Sequence, residues 1–181
     1  MYKKLLGVLF VVMAVPALAV PVSYPDSNGT GDFWDRPIGA GPGISGLGPV
    51  QYHVQAFFTD LDDLYDISSV QDYDGYIHVY ENNFDPTDQL NGLLAGDDDG
   101  PGGIGTSEIL GLALSAGVQY YLITSAFAAG DVGSMTNTIA DQSGLANITL
   151  GLIPPPAVPE PATLLLMGVG LVGMGLRRRK A

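Results

Sequence analysis

The sequence predicts an all-β protein: a single antiparallel β-sandwich flanked by an N-terminal signal peptide helix and a short C-terminal transmembrane helix. Short segments in which apolar and polar residues alternate with a period of two are typical of strands with one buried face. Glycine- and aspartate-rich turns separate these segments, and the body shows no long amphipathic-helix period. We divide the chain into a signal peptide (1–19), a Gly/Pro-rich N-terminal segment (20–49), the sandwich (50–152), a proline-rich spacer (153–158) and a tail (159–181).

The first 19 residues have the three parts of a secretory signal peptide. Lys3 and Lys4 form a charged start, residues 5–15 are apolar, and Ala17 and Ala19 form an A-x-A cleavage signature. We expect export across the inner membrane and cleavage by a signal peptidase after Ala19. The alternative, a first buried strand or helix, fits less well because the apolar stretch is not amphipathic.

Alternation and turn residues predict the strands of the sandwich. The predicted strands are residues 50–59, 75–81, 108–114, 118–127, 133–140 and 145–153. A short turn, residues 115–117, joins the third and fourth, and residues 39–49 are expected to be a flexible connector or loop. Since the chain has no cysteine, the domain must be held by its core without disulfides.

The charge of the body excludes one class of partner. Of the 19 acidic and 7 basic residues, 18 acids and a single base, Arg36, lie in residues 20–158, which gives that span a formal charge of −17. Such a surface repels nucleic acid and anionic lipid and attracts cations. We therefore expect no nucleic-acid partner.

Acid-dense turns suggest calcium as a ligand. Ca²⁺ takes six to eight oxygen ligands from carboxylates and loop carbonyls. The candidate ligands are Asp72, Asp74, Asp97, Asp98 and Asp99. None of these turns has the full EF-hand spacing, and the alternative is a solvated acidic surface that keeps the protein soluble.

One predicted strand suggests a ligand face. Ile77 and Val79 should face the core, so that Tyr76, His78 and Tyr80 project together from the opposite side. Aromatic and hydroxyl-bearing side chains in a row suit the stacking and hydrogen bonding of sugar rings, which makes polysaccharide a candidate partner. In the alternative, the second sheet or the loop around Asp97 covers this face, and the tyrosines belong to the core.

No catalytic site is predicted. The G-x-S-x-G elbow of serine hydrolases is absent, and no spacing joins His53 or His78 to a triad or a metal site, so both histidines are expected to be surface or packing residues. The sequence thus favours a non-enzymatic protein, and the alternative is a small secreted hydrolase of unrecognised type.

Residues 72–139 resemble the jelly-roll β-sandwich of bacterial pre-peptidase C-terminal-type domains. The shared features are a D-G-Y strand, an F-D-P turn, the acidic loop of residues 97–100 and an L-x-A-G-x-x-Y-Y hairpin. This resemblance implies a jelly-roll-like body that acts as a non-catalytic accessory module.

The tail combines a Pro-Glu-Pro triplet, a short apolar run and a basic end. These residues are Pro159, Glu160 and Pro161, then residues 162–176, then Arg177, Arg178, Arg179 and Lys180. An apolar run of 15 residues spans about 22 Å as a helix, less than the roughly 30 Å of the hydrocarbon core. The basic end should stay in the cytoplasm and leave the body outside. The alternative is an ordinary permanent C-terminal anchor.

This arrangement resembles the PEP-CTERM sorting signal of Gram-negative bacteria, which has also been catalogued as an ice-binding-protein C-terminal domain. The resemblance implies that an exosortase recognises the triplet and processes the protein there, in a host that makes extracellular polysaccharide. We therefore expect an exported cell-surface or extracellular-matrix protein whose sandwich is a binding or structural module.

Overall fold

The computed structural model describes residues 20–155, which form ten strands and no α-helix. The strands are β1 (Val22–Ser27), β2 (Phe33–Trp34), β3 (Val50–Thr59), β4 (Asp63–Gln71), β5 (Gly75–Glu81), β6 (Leu93–Asp97), β7 (Thr106–Leu114), β8 (Gln119–Ala126), β9 (Ser134–Asp141) and β10 (Ile148–Leu150). Within this part of the chain, no helix is long and apolar enough to span a membrane. The predicted signal peptide helix and C-terminal transmembrane helix lie outside the described residues.

The strands form two antiparallel sheets. The four-stranded sheet has the order β1-β9-β4-β7, and the six-stranded sheet has the order β10-β3-β8-β5-β6. The remaining strand, β2, pairs with β3 at Val50 and Gln51, while β10 pairs with the other end of β3, from Phe57 to Thr59. The predicted all-β, two-sheet architecture is confirmed.

The main core lies between the two sheets. Ile77 and Val79 of β5 are fully buried there, as predicted, together with Tyr65 and Ile67 of β4 from the opposite sheet. Each buried side chain of this size contributes about 1.5–3 kcal/mol through removal of its apolar surface from water. Residues 60–66 are rich in aspartate, which is typical of turns, yet most of them belong to β4, whose alternate residues are buried.

The predicted hairpin at residues 115–117 is wrong. The two strands that it joins lie in different sheets: β7 pairs with β4, whereas β8 pairs with β3 and β5. Leu114 and Tyr120 both enter the main core, and the Tyr120 hydroxyl accepts a hydrogen bond from the Ser115 N–H at 2.8 Å. The turn therefore carries the chain across the core, because alternation specifies a strand but not its partner.

The N-terminal segment belongs to the sandwich, so the predicted boundary at residue 50 falls inside the domain. Strand β1 pairs with β9 along its whole length, from Val22 to Ser27. Trp34 packs with Tyr80 and Ile123 in a second apolar cluster on the outer face of the six-stranded sheet. The segment therefore covers a sheet face that would otherwise expose large aromatic side chains to water.

Candidate functional sites

The predicted ligand face is buried, which corrects the interpretation of Tyr76, His78 and Tyr80 as an exposed row. Their exposed fractions are 4%, 0% and 0%, respectively. The cover is neither the second sheet nor the Asp97 loop but the N-terminal segment, whose Trp34 ring contacts both His78 and Tyr80. An aromatic row at period two is equally compatible with an exposed platform and with a second core, and here it forms the core.

His78 is held as a neutral packing residue. Its Nε2–H donates to the Pro37 carbonyl at 3.1 Å, and its ring stacks on Tyr76 with centroids 4.6 Å apart. Burial lowers the pKa of His78 to about 3, because the protonated ring would lose its hydration. The other histidine, His53, is half-buried and lies 3.0 Å from the Asp26 carboxylate, where it links β3 to β1. His78 is thus a buried packing residue, whereas His53 remains partly exposed.

Arg36 is the only basic residue in the described range 20–155, and it is 2% exposed. Its Nε donates to the Phe127 carbonyl at 3.0 Å and its Nη1 to the Pro37 carbonyl at 3.3 Å. The guanidinium lies over the ring of Tyr76 at 4.3 Å and over the ring of Phe127 at 4.7 Å. These contacts fasten the N-terminal segment to the sheet. In the sequence, Arg36 is distinguished only by charge, as a lone base among the 18 acids of residues 20–158.

Three of the five predicted calcium ligands come together. Oxygen atoms of Asp74, Asp98 and Asp99 lie within 4.8 Å of one another. Burial raises the pKa of Asp74 and of Asp98, and neighbouring carboxylates raise both further. One Asp98 oxygen, Oδ1, is buried without a hydrogen-bond partner among the described residues. Three convergent carboxylates with an unpaired oxygen fit a Ca²⁺ ion, which would take its remaining oxygen ligands from backbone carbonyls or water.

The other two predicted ligands have structural roles instead. Asp72 Oδ1 accepts a hydrogen bond from the Ser134 N–H, and Asp97 Oδ2 accepts one from the Glu108 N–H, each at 2.7 Å. Both carboxylates thus tie one chain segment to the backbone of another. The predicted five-residue set is therefore divided between a carboxylate cluster and two backbone contacts, which adjacency in sequence could not reveal.

Asp60, an acid outside the predicted calcium set, also holds a loop. Both carboxylate oxygens of Asp60 accept hydrogen bonds from Asn147, one from its side chain and one from its backbone N–H, each at 2.7 Å. These bonds lower the pKa of Asp60 because they favour the charged carboxylate. Some of the many aspartates of this protein thus hold loops in place through hydrogen bonds to other segments of the chain.

Comparison with known families identifies the tail. Residues 157–180 match the PEP-CTERM protein-sorting motif, a stretch that includes the predicted triplet Pro159, Glu160 and Pro161 and the basic residues after it. The motif suggests an exported protein that is sorted by an exosortase after a transient membrane-anchored step. These residues lie outside the part of the chain that the structure describes.

No curated protein matches the chain. The resemblance of the body to pre-peptidase C-terminal-type domains therefore stays a prediction. The name ice-binding-protein C-terminal domain for the tail is likewise untested, and the tail by itself implies no ice binding.

Proposed function

We propose that this is a non-enzymatic cell-surface or extracellular-matrix protein that an exosortase processes at its tail, with the sandwich as a binding or structural module. The observation that carries the proposal is the PEP-CTERM motif at residues 157–180, which directly follows the folded body. With the predicted signal peptide before it and the sorting tail after it, we expect the body to lie outside the inner membrane while the tail is processed.

The physical properties of the tail support a temporary anchor. Its apolar run is too short to span the hydrocarbon core without thinning of the bilayer or snorkelling of the arginines. Glycines at positions 168, 170, 173 and 175 would further weaken a helix in this run. A segment that is bound only weakly by the membrane suits removal by an intramembrane enzyme better than permanent retention.

The charge of the body supports an extracellular role beside polysaccharide. An excess of carboxylates keeps a small exported domain soluble and monomeric through mutual repulsion. It also disfavours anionic partners, so the partners that fit this surface are neutral polysaccharides, cations or neutral protein surfaces. We propose polysaccharide as the partner because the sorting motif is typical of hosts that secrete it.

Mass spectrometry of the protein recovered from its host tests the sorting step. We expect an N-terminus at Val20 and loss of the basic end, with Glu160→Ala blocking the second event and Thr163→Ala, a matched change beside the triplet, leaving it intact. Recovery of wild-type protein that still ends at Ala181 would contradict the proposal. Turnover of ester, glycoside or peptide substrates by the purified protein would instead support the secreted-hydrolase alternative.

A further inference from the structure

A cavity of about 280 Å³ lies between the N-terminal segment and the six-stranded sheet. Its wall includes Arg36, Ile38, Leu47, Tyr76, Asp98 and Phe127. The volume is close to the lower end of the range for small-molecule sites, about 300 Å³. The cavity therefore has room for a single small ring and not for a larger cofactor.

The cavity wall contains a buried cationic donor. Arg36 is 2% exposed, and two of its nitrogens donate to backbone carbonyls, whereas its guanidinium makes no ion pair with any carboxylate in residues 20–155. A guanidinium carries five N–H groups, so N–H groups remain that a ligand oxygen can accept from. A buried charge that is only partly satisfied costs free energy unless further partners compensate it.

The same wall contains an acceptor. Asp98 lines the cavity and is partly exposed, so its carboxylate can accept a hydrogen bond from a ligand there. The cavity thus combines an acceptor, a donor and apolar wall from Ile38 and Leu47.

We infer that this cavity binds one neutral pyranose ring of a polysaccharide, an inference that rests on the proposed function. Sugar hydroxyls both donate and accept, so that one hydroxyl can donate to Asp98 while a neighbouring one accepts from Arg36. The C–H face of the ring fits the apolar wall of Ile38 and Leu47. An anionic sugar is disfavoured by the carboxylates of Asp74, Asp98 and Asp99.

Two substitutions test the cavity by different means. Asp98→Ala removes the acceptor. Gly46→Phe fills the space, because Gly46 lines the cavity and a Cβ added there meets no atom within 4 Å. The matched controls are Asp88→Ala, at an exposed aspartate outside the cavity, and Gly29→Phe, where an added Cβ meets only the Ser27 hydroxyl at 3.5 Å.

Binding is measured on the full-length protein in a detergent without a sugar head group. The probes are the methyl α-glycosides of D-glucose, D-galactose and D-mannose, titrated by saturation-transfer difference NMR. EDTA is present so that an effect of Asp98→Ala cannot act through a bound cation. We expect at least one glycoside to bind the wild type, both cavity variants to bind it about tenfold more weakly or not at all, and both controls to bind as the wild type does.

Two results would overturn the inference: binding of sodium acetate but of no glycoside, or equal glycoside binding by the wild type and the folded Gly46→Phe variant. Retention on polysaccharide purified from the host distinguishes this inference from the proposed function. Equal retention of the wild type and Gly46→Phe would leave the proposed function standing and remove the cavity from it. Absence of both glycoside binding and retention would remove both.

Discussion

Arg36 and Tyr76 form a stacked pair, with the guanidinium 4.3 Å from the centre of the tyrosine ring. The Tyr76 hydroxyl accepts a hydrogen bond from the Gly39 N–H at 2.7 Å, so the same tyrosine also holds the chain three residues further on. Two contacts from one side chain of β5 thus fix the N-terminal segment over the sheet.

Replacement of Arg36 should destabilise the fold. Arg36→Ala removes two hydrogen bonds to carbonyls and two cation–π contacts, and we expect a loss of about 2–4 kcal/mol in the free energy of unfolding. Arg36→Lys keeps the charge but not the planar fork, so its loss should be smaller. Urea denaturation of the exported protein measures both, and an unchanged midpoint for Arg36→Ala would show that the attachment contributes little.

The covering of the sheet can be tested at Gly96. A Cβ at this position would lie 2.6 Å from the Gly39 carbonyl oxygen and 2.6 Å from His78 Cδ2. We expect Gly96→Ala to push the N-terminal segment away from the sheet, to cost about 1–3 kcal/mol and to expose residues 36–47 to limited proteolysis. Gly46→Ala is the control, since its added Cβ meets open space. Equal cleavage of both variants would favour a loosely attached segment.

The alternation in β5 predicted the strand and its core face but not the second cover. Ile77 and Val79 face the main core as expected, whereas the fate of the Tyr76, His78 and Tyr80 face depended on a segment that, in sequence, is rich in glycine and proline. Such a composition is typical of loops, whether they are free or packed. The residue of this segment that indicates a packed loop is Trp34, whose large apolar side chain is buried in the second apolar cluster.

For the carboxylate cluster, too, the sequence predicted the residue types but not which side chains converge. Asp97, Asp98 and Asp99 are adjacent in sequence, yet only the last two join Asp74. Asp97 ends β6 and points its carboxylate at the backbone of β7. Asp97 is the last residue of β6, whereas Asp98 and Asp99 follow it outside the strand, so adjacency in sequence does not determine which carboxylates converge.

His78 should make stability depend on pH in a defined window. Its pKa is lowered to about 3 in the folded protein, whereas the unfolded chain has the ordinary value near 6.5. Below pH 6.5 the unfolded state therefore binds a proton that the folded state does not, and stability falls as pH falls. Between pH 6.5 and 5 this difference amounts to about 2 kcal/mol. Urea denaturation of the wild type and of His78→Gln at pH 6.5 and at pH 5 measures this loss of stability. An equal loss in both proteins would contradict a neutral, buried imidazole.

Calcium binding and a solvated acidic surface predict different responses to salt. A cation held by Asp74, Asp98 and Asp99 binds only the folded protein and stabilises it by mass action. Simple screening of the −17 body acts with any salt. Under the calcium hypothesis, millimolar Ca²⁺ should raise the melting temperature more than NaCl of equal ionic strength. Asp99→Asn should remove this excess, whereas Asp88→Asn, at an exposed position outside the cluster, should keep it. Equal shifts in both salts would leave the carboxylates as surface groups.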